Sequence, residues 1–381
     1  MKRAALGLAL LLAAVPAAAQ TLPRWIAFGD SITQGFGDAP STDPGYPGRL
    51  EALLAQRNIN VDIVNAGFGG ETTAEGMVRV NTVTAQGGRI FLLMEGTNDI
   101  NAKVSTETIS FNLNQIALRA EGRGMEAVLA TVIPRLPSAN TDGGNRAAGA
   151  LAAAVRTLAG STNRRLVDPF EVLFYQTTNP FDTYYLGGTD KLHPNAAGYT
   201  LLSQIFADAL TPNVDKVPPV LGAVVPDDGG ANVPATSTIR VSLYDFGAGI
   251  DRMQTRLIVN GQPVQSTFEG PDNRRVDLVY LPSTPLRGQV TVGISARDLA
   301  TPPNSVERNV SQFIIAGTVF LAGDVDRNGR VDGADLIALA LRFGAPRSST
   351  RYSADIDLNH DNVIDGLDLA LLASNFGKSS F

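Results

Sequence analysis

Four short blocks of this 381-residue chain carry side chains that could do chemistry. FGDSITQGFGD, Phe28 to Asp38, ends an apolar run in a serine. A serine leaving a buried strand for a helix holds its hydroxyl at the carboxyl edge of the sheet, where open α/β domains place their sites. NAGFGGETT, Asn65 to Thr73, supplies glycines that let a backbone amide approach a ligand closely. EGTNDI, Glu95 to Ile100, brings the side-chain amide of Asn98, a donor for an oxyanion. DKLHPNAAGY, Asp190 to Tyr199, sets Asp190 just before His193 and ahead of a helix expected to begin near Pro194. A local turn there lets the carboxylate orient the ring. The chain has two histidines, His193 and His360, and no cysteine, so an imidazole base is one of these two and a thiol nucleophile is excluded. No G-x-S-x-G occurs, which disfavours the nucleophile elbow of the α/β-hydrolase fold. Taken singly, each residue has a plain structural use, Ser31 or Asp30 as a helix cap, Asn98 and Asp99 as turn residues. Together they would be independent coincidences at strand ends.

Periodicity shows the elements that must position these residues. From Arg24 to about Leu210 short apolar runs alternate with helical patterns, which predicts an α/β three-layer sandwich with a parallel sheet. The expected strands are Arg24 to Gly29, Val61 to Ala66, Arg89 to Glu95, Ala127 to Ile133 and Leu166 to Asp168. Leu50-Leu53-Leu54, Leu113 with Ile116, and Leu151 with Val155 and Leu158 stand at helical spacing between them. TPNVDKVPP, Thr211 to Pro219, reads as a linker. Strands then replace helices up to Ile315: Thr238 to Tyr244, Arg256 to Val259, Val276 to Leu281, Val290 to Ala296 and Ser311 to Ile315. Asn260-Gly261 marks a two-residue hairpin. A small all-β sandwich of about 100 residues fits this run, and a spacer is its plainest use.

Lys2 and Arg3, the apolar run Ala4 to Val15 and Ala17-Ala18-Ala19 read as an export signal cleaved before Gln20. The run is shorter than the ~20 residues that cross a bilayer, so a secreted or cell-surface protein without a transmembrane span is expected. The boundaries read as 1–19 for the signal, 20–212 for the α/β domain, 213–318 for the linker and sandwich, and 319–381 for a final module. Hydrophobic residues at 44% and charged residues at 18% exclude wholesale disorder. A net charge of −6 leaves no basic surplus for nucleic acid.

The final module is an internal repeat. GDVDRNGRVDGADLIALALRFG, Gly323 to Gly344, recurs as IDLNHDNVIDGLDLALLASNFG, Ile356 to Gly377. Loop positions 1, 3, 5, 9 and 12 carry oxygen ligands: Asp324, Asp326, Asn328, Asp332 and Asp335, then Asp357, Asn359, Asp361, Asp365 and Asp368. Arg330 and Val363 at position 7 would contribute their backbone carbonyls. This spacing wraps hard oxygens around a cation, and two copies in register predict two structural calcium ions. Gly329 and Asn362 at position 6 suit a left-handed turn. An apolar stripe follows each loop on a helix too short to be stable alone, so the halves must fold together around metal.

The four blocks, in this order, resemble the GDSL or SGNH hydrolases over about Arg24 to Leu210. The resemblance implies the short parallel sheet of that family, Ser31 as nucleophile, His193 as base, Asp190 as its orienter, and Gly70, Ser31 and Asn98 as oxyanion donors. The repeat resembles a dockerin, which implies a cohesin-type scaffold partner. Asp335 and Asp368 stand where an EF-hand has glutamate, as in dockerins. Positions 10 and 11, Gly333-Ala334 and Gly366-Leu367, lack the common hydroxyl pair, so the cohesin is unassigned. The intervening strands resemble bacterial immunoglobulin-like modules. The implied activity is a secreted serine esterase acting on acetyl groups of plant cell-wall polysaccharide, with no catalytic cofactor. The alternatives are a lipase, lysophospholipase-type or small-ester hydrolase, or a non-catalytic carbohydrate-binding or adhesion protein.

Overall fold

Runs such as WIAFG and IFLLM have no polar residue to face water, so strands built from them must be covered on both sides. The computed structural model, which describes residues 22–38, 45–135, 142–317 and 320–379, shows that cover. Five parallel strands, β1 (Arg24–Gly29), β2 (Asp62–Gly67), β3 (Ile90–Met94), β4 (Glu126–Ala130) and β5 (Arg165–Val167), lie in the order β2-β1-β3-β4-β5. The helices in chain order are α1 (Ser31–Gln34), α2 (Tyr46–Gln56), α3 (Thr73–Thr84), α4 (Thr97–Asn101), α5 (Thr106–Glu121), α6 (Asp142–Ser161), α7 (Pro169–Glu171), α8 (Pro180–Tyr184) and α9 (Ala196–Leu210). Alternate strand residues feed two cores. Trp25, Ala27, Leu92 and Met94 pack with Leu50, Leu54, Leu202 and Phe206 of α2 and α9. Ile26, Phe28, Phe91 and Leu93 pack with α3, α5 and α6 through Val80, Leu113, Ile116, Leu151 and Val155.

The chain leaves β1 toward β2 on one side and returns to β3 on the other, which makes the β1/β3 carboxyl edge the switch point where a crevice forms. A Cβ on Gly29 would stand 2.3 Å from the Met94 carbonyl oxygen, so only glycine lets β1 end this close to β3. The expected strands agree with the observed ones to within a few residues. The helix expected to begin near Pro194 begins two residues later. Asp190–Pro194 is a short strand, β7, paired with β6 (Tyr185–Gly187), and α9 begins at Ala196 with Asn195 accepting from the Gly198 amide. The expected export signal, 1–19, lies outside the described residues, as does most of Leu136 to Gly144.

Beyond the linker, β8 (Val220–Val225), β9 (Ile239–Tyr244), β10 (Arg256–Val259), β11 (Gln262–Val264), β12 (Thr267–Glu269), β13 (Arg275–Tyr280), β14 (Gln289–Arg297) and β15 (Ser305–Ile314) form two four-stranded antiparallel sheets, β11-β10-β14-β15 and β12-β13-β9-β8. Val241, Leu243, Leu257, Leu278, Ile294 and Phe313 fill the space between them. Asn260 and Gly261 both take positive φ, as a two-residue hairpin requires. In the repeat, α10 (Gly333–Ala340) and α11 (Gly366–Asn375) start in capping boxes made by Asp332 with Asp335 and Asp365 with Asp368. Two short strands, β16 (Ala345–Pro346) and β17 (Val363–Ile364), join the halves over Val331, Leu339, Ile356 and Leu372.

A spacer needs few contacts with its neighbour, yet the sandwich packs directly on the α/β domain. Cβ atoms on Gly160 and Gly222 would collide with the Tyr244 ring, so two absent side chains make room for it. Arg156, 3% exposed, bonds Asp168 and Glu171 and donates to the Leu221 carbonyl at 2.9 Å. Arg308 of the sandwich reaches the same Glu171 at 2.7 and 3.1 Å. Removing Arg156 strands buried carboxylates. Arg156→Ala is therefore expected to cost about 3–5 kcal/mol in denaturant unfolding. Arg24→Ala, which breaks an exposed pair with Asp62, should cost under about 1 kcal/mol. Equal costs for the two would contradict this reading of the interface.

Candidate active site

The site begins with a helix start. Asp30 caps α1 by accepting the Ile32 amide at 2.8 Å, which leaves the Ser31 side chain free of capping duty. Ser31 Oγ lies 2.9 Å from His193 Nε2, and His193 Nδ1 lies 2.8 Å from Asp190 Oδ2. Asp190 Oδ1 accepts the amides of Leu192 and His193 at 2.9 and 2.8 Å, a turn made available by the β6–β7 hairpin. Partial burial opposes the charge on Asp190, but those amides and the imidazole together hold its carboxyl below the usual range. A charged carboxylate only accepts, so Nδ1 carries the proton and Nε2 is left to accept from the Ser31 hydroxyl. The histidine is thus in the tautomer a general base needs.

Three further contacts hold the ring and the donors. Phe36 lies against the imidazole with centroids 4.4 Å apart, and the Tyr199 hydroxyl fixes that segment by donating to the Phe36 carbonyl at 2.8 Å. The loop after β2 runs beside Ser31: a Cβ on Gly69 would stand 3.9 Å from the Ser31 Cβ, and Gly70 takes φ +81° facing open space. Asn98 Nδ2 donates to the Glu71 carbonyl at 2.8 Å, which spends one amide hydrogen and leaves the second. Asp99, buried, accepts from the Thr73 amide and hydroxyl at 2.8 and 2.6 Å and so ties the loop after β3 to the start of α3. Of the five sequence-predicted site residues, Ser31 opens α1 after β1, Gly70 lies on the loop after β2, Asn98 is in α4 after β3, and Asp190 and His193 are in β7. Phe36, Tyr199 and Asp99 add supports that the sequence did not single out.

Beneath the serine sits a group of buried carboxyls. Glu71 is paired with Arg79, whose guanidinium also lies 4.0 Å over the Phe28 ring. Burial first, and then the adjoining Glu71, push Glu95 well above the usual range. A Cβ on Gly76 would stand 2.5 Å from Glu95 Oε2, so the glycine makes room for that acid. Burial likewise pushes Asp30 up to about 6, against the hydrogen bond from the Ile32 amide.

Residues 27–201 match the model of the GDSL-like lipase/acylhydrolase family. The α/β domain belongs to that family. A second match, to the dockerin type I domain, covers residues 322–376. The GDSL domain is similar to esterase TesA of Pseudomonas aeruginosa, 32% identical over 123 residues, which are 32% of this chain and 59% of the relative. It is also similar to the uncharacterized lipoprotein YqeF of Bacillus subtilis, 32% identical over 116 residues, 29% of this chain and 48% of the relative. The chain thus spans about half the length of these curated relatives. Among solved structures it is similar to the acetylxylan esterase Axe2 from Geobacillus stearothermophilus, 22% identical, covering 50% of this chain and 94% of the other at a TM-score of 0.42.

The dockerin loops share one backbone path. Position 4 is left-handed in both (Arg327 and His360), and so is position 6 (Gly329 and Asn362). His360 is exposed and stands between two ligand positions without occupying one. Asp324, Asp326 and Asp335 bring carboxylate oxygens within 4.8 Å of one another. Asp324 Oδ2 accepts the Gly329 amide, while Oδ1 is buried with no donor. An oxygen of that kind fits a cation ligand. In the second loop Tyr352 donates to Asp357 Oδ2 at 2.6 Å, a contact the first loop has no counterpart for at Asp324.

The pH dependence of stability should report Asp30 of the GDSL domain. Between about pH 4 and 6 folded Asp30 keeps a proton that the unfolded chain, at 3.8, has lost, so its contribution to stability falls as pH rises through that window. Asp30→Asn keeps a good cap and cannot ionise. Its stability relative to wild type is expected to rise by up to roughly 3 kcal/mol between pH 4 and 7 in paired unfolding curves. A pH-independent difference would contradict the assignment.

Proposed function

We propose that the GDSL domain is a serine esterase in which Ser31 attacks an ester carbonyl, His193 takes and returns the proton, and Asp190 orients the ring. One observation carries this reading: serine, imidazole and carboxylate are joined in sequence at 2.9 and 2.8 Å. The amides of Ser31 and Gly70 and the Asn98 side chain serve the tetrahedral oxyanion, each donor worth about 2.7 to 4 kcal/mol at the transition state. Release of the alcohol leaves an acyl-serine, which water hydrolyses with the same imidazole as base. The similarity to a relative named an esterase supports the same reaction class.

The dockerin type I domain supports an extracellular enzyme delivered to a scaffold, since dockerins bind cohesins. Ile337 on α10, Leu341 just after it and Leu367 on α11 are well exposed, an apolar surface suited to a protein partner. Among the described residues no helix is long and apolar enough to cross a membrane. Calcium would be held in the first loop by Asp324, Asp326, Asn328, Asp332 and Asp335 with the Arg330 carbonyl, and in the second by Asp357, Asn359, Asp361, Asp365 and Asp368 with the Val363 carbonyl. Scaffold attachment favours acetyl esters of cell-wall polysaccharide as substrates.

Acetate release from acetylated xylan, pectin and short aryl esters is the test. Wild type is expected to deacetylate a polysaccharide, Ser31→Ala to lose activity, and Asp190→Asn to lose on the order of 10⁴-fold in kcat through the wrong tautomer. Cleavage of aryl esters alone would keep the Ser31 chemistry and sink the polysaccharide assignment. No hydrolysis of any ester by folded protein would favour a carbohydrate-binding role.

A further inference from the structure

Several deeply buried carboxylates in the body of this protein meet an arginine: Asp168 and Glu171 meet Arg156, Glu71 meets Arg79, and Asp38 meets Arg49. A group at the seam between the GDSL domain and the sandwich does not. Asp215 lies in the linker between α9 and β8, Asp245 directly follows β9, and Asp298 directly follows β14. One oxygen from each lies within 4.8 Å of the others, and Asp245 and Asp298 are 2% and 1% exposed. Among the described residues none of the three makes an ion pair with a lysine, arginine or histidine.

The hydrogen bonds orient these carboxylates without neutralising them. Asp245 Oδ1 accepts the amides of Gly247 and Gly249 at 3.0 and 2.7 Å, while Oδ2 is buried with no donor. Asp298 Oδ1 accepts the amides of Ala300 and Asn304, and its Oδ2 accepts Asn304 Nδ2 at 2.6 Å. That same Asn304 amide reaches the Asp215 carbonyl at 3.3 Å. Asp215 accepts from Val217 and Ala248. A Cβ on Gly247 would stand 2.3 Å from Asp215 Oδ2, so the loop admits the linker carboxylate only because that residue is glycine.

We infer that Asp215, Asp245 and Asp298 form a further divalent-cation site, of calcium type, that clamps the linker to the end of the sandwich. Three features repeat those of the first dockerin loop: a triad of carboxylates with oxygens within 4.8 Å of one another, one oxygen on a loop glycine amide, and the other oxygen of that aspartate buried without a donor. All the donors are hard oxygens on irregular loops, which suits calcium better than a softer metal or the strict octahedron of magnesium. Burial and the two neighbouring carboxylates push Asp245 up to about 7, as expected for like charges that share a site and lack a counter-ion.

The test is a calcium titration of the full chain, read by native mass spectrometry after chelation and by amide hydrogen exchange. Wild type should bind one ion more than its two dockerin loops account for, and Asp245→Asn should bind one fewer than wild type. Asp324→Asn with Asp357→Asn should keep the seam ion. In wild type, calcium should slow exchange at 215–217, 245–249 and 298–304 as well as in the dockerin loops. This second readout decides the matter if Asp245→Asn fails to fold. An unchanged ion count in folded Asp245→Asn would overturn the site. So would wild-type exchange that responds to calcium in the dockerin loops alone, and three aspartates sharing protons would then be the account of the seam.

Discussion

The charge on Asp190 sets the direction of the hydrogen bonds that run from it through His193 to Ser31. It persists in a partly buried place because a hairpin turn presents two backbone amides to one oxygen. The other oxygen then dictates which ring nitrogen of His193 holds the proton, and with it the direction of the hydrogen bond to Ser31. Everything around this line works to keep it straight. Phe36 backs the ring, Tyr199 holds Phe36, and the strand order places Ser31 and Asn98 on the two sides of one crevice. Preorganised donors of this kind act without reorganisation when charge develops, the largest single source of catalysis in many enzymes.

Much of this was legible from residue types. A serine after a continuous apolar run, and an aspartate three residues before the domain's one histidine, carry their meaning locally. The five parallel strands could be read because burial on both faces leaves uninterrupted hydrophobic runs. Structure that depends on distant pairing was not legible. Asp190–Pro194 becomes a strand only because Tyr185–Gly187 lies beside it, and no local pattern announces that pairing. Phe36 looks like any loop aromatic until the fold sets it on His193. Asp99 reads as a turn residue, and its partner Thr73 belongs to another loop. The seam aspartates are scattered over the linker and two strand ends, so no window of sequence contains them together.

The molecule handles buried negative charge in three ways. Arginine pairs secure the contact between domains and the loop that carries Gly70. Burial raises Asp30 and Glu95 above the usual carboxylate range close to Ser31, so both give up their charge more readily than an exposed acid would. Gathered aspartates with donorless oxygens mark the first dockerin loop and the seam. The sandwich follows the same logic: it shares Glu171 with the GDSL domain, encloses Tyr244 with it, and contributes two of the three seam carboxylates. It is built as a buttress rather than a spacer.

The central claim is that the Asp190–His193–Ser31 line makes Ser31 a nucleophile. Covalent labelling by an organophosphonate, mapped by peptide mass spectrometry, tests it without any assumption about substrate. The account predicts one label per chain, on Ser31, with labelling slowed by orders of magnitude in His193→Ala. Folded wild type that takes no label, or takes it on another residue, would contradict it.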